Sequence, residues 1–208
     1  MDPRSNAHPS PREPLALLAL TVLALLVSAV APYDRSTWWM EVAPVLIALP
    51  LLVVTWRGFP LTPLLYRLVF LHALVLILGG YYTYARVPVG FWAQDLFDFG
   101  RNHYDRFGHL VQGFVPALAA REVLLRRSPL VPGKWLFFLV TCVTLAISAT
   151  HELVEWGTAV MAGEGAVDFL GTQGDPWDSQ WDMFLALIGA IAAQLLLARV
   201  QDRELARL

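Results

Sequence analysis

The sequence predicts an all-α protein, a polytopic transmembrane helical bundle of about six spans with one short helix lying along the membrane surface. Three observations carry this expectation. Of the 208 residues, 57% are apolar and only 15% are charged, proportions outside those of ordinary soluble domains. The apolar residues fall in runs of about 20, enough to carry a helix across roughly 30 Å of hydrocarbon while satisfying its own backbone hydrogen bonds. The interruptions between runs are Pro, Gly, aromatic and charged residues of the kind that mark helix ends at a water interface.

Residues 1–13 hold three prolines and no apolar periodicity, so they are expected to form a disordered cytoplasmic tail. Residues 14–208 then make one transmembrane domain, with spans at about 14–32, 39–56, 61–84, 105–125, 135–161 and 181–200. The first run ends Ala29-Val30-Ala31, which imitates a signal-peptide cleavage site, but its length and Pro32 immediately afterwards argue for a retained span. Trp38-Trp39 and Trp56 bracket the second span, which Pro44 and Pro50 should bend. The third closes on Tyr81-Tyr82-Thr83-Tyr84, an aromatic belt, and the fifth follows the turn Pro132-Gly133-Lys134. Between the third and fourth, residues 87–99 set Phe91, Trp92, Leu96 and Phe97 among Asp95 and Asp98. That stretch is too short to cross and reads as an interfacial helix.

Orientation follows from Lys and Arg, which are retained on the cytoplasmic side during insertion. Of the fifteen basic residues, only Arg35, Arg86, Arg101 and Arg106 fall on the face opposite the N-terminus. Residues 162–180 carry no basic residue but hold Glu164, Asp168, Asp175 and Asp178. Both termini are therefore expected in the cytoplasm, and the acidic loop outside it, in a bacterial inner membrane. A net charge of -2 with dispersed basic residues excludes a nucleic-acid partner. Cys142, the single cysteine, excludes an intrachain disulfide and a thiolate metal cluster.

Three polar clusters break the apolar pattern, and ionisable residues at a membrane edge are functional candidates because placing them there costs free energy. The first contains Arg101, His103, Asp105, Arg106, His109 and Gln112, in which Asp105, His109 and Gln112 are spaced i, i+4, i+7 and share one helix face. The second is His151, Glu152 and Glu155, with His151 and Glu155 one turn apart. The third runs from Gly171 through Gln173, Asp175 and Asp178 to Asp182. Asp178 is placed to cap the incoming helix, since a carboxylate there accepts orphan amide hydrogens. The topology puts all three clusters at the outer face, where three helix ends line one pocket. Carboxylates and imidazoles are ligands for Mg, Mn or Zn and are equally suited to proton transfer. Asp105, His109, His151, Glu155, Asp178 and Asp182 form the candidate metal set.

Each cluster also has a plain structural reading. The second and first can be ion-pair networks between helices, and Gly, Pro and Asp in the third are ordinary turn formers. His72 reads as a packed helix-contact residue, and Arg121 and Glu122 as an interfacial pair or snorkelling side chains.

Four segments give the sequence a family likeness: Tyr82-Thr83-Tyr84-Ala85-Arg86-Val87-Pro88, Arg101 to His109, His151 to Trp156, and Gly171 to Met183. Together they resemble the YjdF-like bacterial inner-membrane proteins, over most of the chain. The resemblance implies a small multispanning inner-membrane protein and no activity, because that family has no assigned function. A more distant pattern is similar to the VanZ-like membrane proteins. Asp105, Arg106 and His109 answer to its first motif, Glu152 or Glu155 to its second, and Asp178, Asp182 and Gly189 to its third. The chain departs from it at Glu155, where that pattern has Gln, and at Ala186 or Leu187, where it has Asn.

The expected function is an outward-facing acidic pocket that takes a divalent metal and the headgroup of a membrane lipid or lipid-linked envelope precursor. HExxH, P-loop and Gly-x-Ser-x-Gly signatures are absent from the sequence. The alternatives are a proton-coupled small-solute transporter and a structural or assembly protein without catalysis. Transport fits less well because the midplane offers little beyond His72 and the prolines of the second span.

Overall fold

The structure, a computed structural model, describes residues 11–162 and 172–208. Among them are seven α-helices, one 3-10 turn and no strand: α1 Arg12–Ser28, α2 Arg35–Thr55, α3 Pro63–Tyr82, the turn Tyr84–Arg86, α4 Pro88–Phe97, α5 Tyr104–Arg127, α6 Lys134–Ala162 and α7 Asp178–Leu205. Each expected span contains a helix, and the expected interfacial segment contains α4. Four helices, α2, α3, α6 and α7, are long and apolar enough to cross a membrane. The expected six therefore stand at four by this measure: α1 has 17 residues, and α5 carries charged residues at both ends. Arg12 and Glu13, expected in the disordered tail, are helical, and Glu13 pairs with Arg67 of α3 at 2.5 Å. Residues 1–10 of that tail, together with Glu164, Asp168 and Gly171, lie outside the described residues.

The helix starts are chemically specified. Asp34 accepts the Thr37 amide at 2.7 Å, a bond that with the Ser36 hydroxyl holds its carboxyl below the ordinary range. Thr62 caps α3 by accepting from the Leu65 amide at 3.4 Å, and Pro63 follows where no amide hydrogen is needed. Trp38 ties α2 to α1 by donating to the Ser28 hydroxyl at 3.0 Å.

α5 is the centre of the bundle, packed against α3, α6 and α7. Its contact with α7 is backbone on backbone. A Cβ on Gly113 would stand 2.0 Å from the Ala186 carbonyl oxygen, and one on Gly189 would stand 2.1 Å from that of Leu110. Small residues at both crossings are what allow so close an approach. Leu65, Leu118, Leu136, Val140, Ala190 and Ala193 fill the core on the side of the C-terminus.

Below that core sits a second polar network. Glu122 is fully buried and accepts from the Thr62 amide at 3.0 Å, the Thr62 hydroxyl at 2.8 Å and Arg126 at 2.9 Å. Arg121 donates to Gln201 at 3.1 Å and pairs with Asp202 at 2.8 Å. The expected Arg121–Glu122 pair, or a snorkelling arrangement, is therefore corrected. Adjacent residues on a helix point about 100° apart, so each finds its own partner on another element and both are buried.

Candidate functional site

At the opposite end of the bundle, the N-termini of α5 and α7 meet the C-terminal part of α6, and α2 packs alongside on α3. The i, i+4 pattern of α5 does what helical geometry requires and projects Asp105 and His109 from one face into the interior, 8% and 4% exposed. His109 is the hub. Its Nε2 lies 3.6 Å from Asp105 Oδ1 and 4.0 Å from Asp182 Oδ2, while its Nδ1 lies 3.6 Å from Glu152 Oε1 and 2.8 Å from Gln112 Oε1. On α6, His151 Nε2 and Glu155 Oε1 are 3.1 Å apart, and the two imidazole rings stand 5.6 Å centre to centre.

Two sets of donors are compact enough to hold an ion, Asp105 with His109 and Asp182, and His109 with His151 and Glu155, each with ligand atoms within 4.8 Å of one another. Two of the carboxylates each hold an oxygen without a donor. Oε1 of Glu152 and Oδ1 of Asp182 are buried with no hydrogen-bond partner among the described residues, at residue exposures of 7% and 2%. A buried carboxylate oxygen without a donor is costly, and a cation is one way to offset that cost.

An ionic layer covers this cluster. Arg101 reaches Asp178 at 2.5 Å and the Thr172 carbonyl at 3.2 Å, and Arg106 reaches Asp175 at 2.6 Å while lying 5.4 Å over the Trp181 ring. The cross pairs are longer, Arg101–Asp175 at 3.8 Å and Arg106–Asp178 at 3.9 Å. Asp178 thus does not cap α7. Trp177 occupies that position without a side-chain bond, and the Asp178 carboxylate turns to Arg101 because burial demands a charge partner. The turn is instead fixed by Asp175, which accepts the Trp177 amide at 2.9 Å. That bond first, and Arg106 next, hold its carboxyl below the ordinary range. Gln173 joins the same layer, exchanging hydrogen bonds with the backbone of Asn102 at 2.8 Å and 3.2 Å. His103 lies 3.5 Å from Arg106, and partial burial followed by the charges of Arg106 and Arg101 depresses its imidazole.

Of the twelve candidates, Asp105, His109, Gln112, His151, Glu152, Glu155 and Asp182 come together in the interior, and His103, Arg106, Gln173, Asp175 and Asp178 form the cover. One residue of the interior group escapes sequence reading. Glu41 of α2 is 6% exposed and lies within electrostatic reach of Glu155, Asp105 and His109. Its one signal is a carboxylate in an apolar run, two residues after Trp39. His72 of α3 has a buried Nε2 with no hydrogen-bond partner among the described residues.

A sequence family described as "Predicted membrane protein (DUF2238)" matches residues 13–203. The chain is also 54% identical over 190 residues to the inner membrane protein YjdF of Escherichia coli (strain K12), covering 91% of each chain. No solved structure matches it. With most of its length matched and four apolar helices of spanning length, the chain belongs to the DUF2238 family of membrane proteins.

Proposed function

We propose that the protein crosses a bacterial inner membrane six times with both termini in the cytoplasm, and binds a divalent cation of the Mg, Mn or Zn type in its buried cluster. The bound cation engages the anionic headgroup of a membrane lipid or lipid-linked envelope precursor at the outer surface. One observation carries this reading: Asp105, His109 and Asp182 offer ligand atoms within 4.8 Å of one another, beside carboxylate oxygens of Glu152 and Asp182 that no donor among the described residues satisfies.

Several features support the placement. α5 is enclosed by α3, α6 and α7, so its acids and imidazole face protein, as intramembrane ionisable groups do. α1, at 17 residues, rises about 26 Å, a shortfall that bilayer thinning accommodates. Arg121, Arg126 and Arg127 lie at the end of α5 opposite the cluster, in accord with a cytoplasmic inner end. The Escherichia coli relative is an inner membrane protein by name. The cluster lies at helix ends, level with headgroups, and phosphate oxygens are hard donors suited to complete the coordination of such a cation.

Elemental analysis and lipid mass spectrometry of protein purified in mild detergent test the proposal. At least one stoichiometric cation is expected, lost from His109→Gln with the fold retained by circular dichroism. Metal-free protein whose melting temperature ignores added Mg, Mn and Zn would reject it.

A further inference from the structure

The interior cluster holds more negative charge than a single divalent ion can offset. Five carboxylates converge there, Glu41, Asp105, Glu152, Glu155 and Asp182, none more than 9% exposed. The guanidinium groups above them are already engaged with Asp175 and Asp178. With all five ionised and both imidazoles neutral, as metal ligation requires of its donors, one divalent cation would leave three negative charges in the interior and two would leave one. Two of the carboxylates hold a buried oxygen, Oε1 of Glu152 and Oδ1 of Asp182, with no hydrogen-bond partner among the described residues.

The arrangement of donors along the helices adds a second argument. Helical bundles that hold paired metal ions take one carboxylate from each of two helices, and a carboxylate with a His one turn away from each of two others. Here α2 supplies Glu41 and α7 supplies Asp182. α5 supplies Asp105 with His109, and α6 supplies His151 with Glu155 in the reverse order, both at a spacing of four where that pattern has three. His109 belongs to both compact donor sets, so the two positions are neighbours. Glu152 lies beside His109 at 3.6 Å and within electrostatic reach of Glu155 and His151, where a carboxylate can bridge.

We propose that the cluster is a binuclear centre, in which one divalent cation sits on Asp105, His109 and Asp182 and a second on His151 and Glu155 beside His109, with Glu152 and Glu41 near them. The inference rests on the cation-binding reading above and deepens it. Two adjacent cations present paired open positions, which match two oxygens of one phosphate group and clamp it more firmly than a single ion. Mixed carboxylate and imidazole donors suit Mn(II), Fe(II) and Zn(II).

The full-length protein, stripped with chelator, reloaded with Mn(II) and desalted, provides the test through its metal-to-protein ratio and low-temperature electron paramagnetic resonance. Two equivalents with an exchange-coupled spectrum are expected. Glu155→Gln and Asp182→Asn should each retain one equivalent with the spectrum of an isolated ion. One equivalent in the wild type overturns the binuclear centre and leaves the cation site standing. Two equivalents that are magnetically isolated also overturn it, and none overturns both readings. The decisive measurement is on the unaltered chain, so a variant that fails to fold does not blunt it.

Discussion

Asp182→Asn gives a sign test for the cluster. The substitution keeps shape and removes one charge from a group whose ligand atom lies within 4.8 Å of those of Asp105 and His109. Two carboxylates about 4.8 Å apart repel by about 3.5 kcal/mol at an effective dielectric of about 20. In chelator, therefore, the variant should be the more stable protein, by up to about 3 kcal/mol, or a rise in melting temperature of up to about 10 °C. Saturating cation reverses the order. A ligand present at about a thousand times its dissociation constant stabilises the native state by about 4.1 kcal/mol, and the variant, which lacks the site that Asp182 completes, should miss that increment. The 8 tryptophans allow both proteins to be melted by intrinsic fluorescence in detergent, with chelator and then with Mn(II). A variant that melts below wild type in both conditions, with wild type indifferent to Mn(II), would show Asp182 to be an ordinary structural acid and refute the reasoning.

The inner network predicts a different response. Glu122→Gln replaces one acceptor oxygen with a donor facing Thr62 or Arg126, and should cost about 3–5 kcal/mol, as breaking a buried pair does, with no dependence on cations; a melting temperature unchanged from wild type would contradict it. For His103 the sign follows from its depressed imidazole. The unfolded chain binds the proton more readily, so the contribution is present above the unfolded value of about 6.5 and is lost as the pH falls through the lower folded one. Stability should decline between pH 7.5 and 5, and His103→Gln should flatten that decline in melts across the same range.

Much of the architecture is legible because bilayer physics writes it into length and hydropathy. The runs beginning near Leu15, Trp39 and Leu61 each contain a helix. Local spacing was equally informative for Asp105, His109 and Gln112, where one helix face is fixed by geometry alone. What failed was pairing across the chain. Arg101 meets Asp178 and Arg106 meets Asp175 across about 70 residues of sequence, and no periodicity encodes that choice. Asp178 looked like a helix cap because its local position fits one, and a tertiary charge partner won instead. Arg121 and Glu122 looked like a pair because they are adjacent, although adjacency on a helix separates side chains. Glu41 had no polar neighbour in its own run, so its nearness to Glu155, Asp105 and His109 is visible only in the folded chain.

The ionic layer over the cluster has a consequence for how the protein responds to damage. Each arginine lies within 4.0 Å of both aspartates, one closely and one at longer range, so the four charges work like a latch with two bolts. Removing either arginine therefore still leaves each aspartate one guanidinium within 4.0 Å, whereas removing both leaves neither aspartate an arginine.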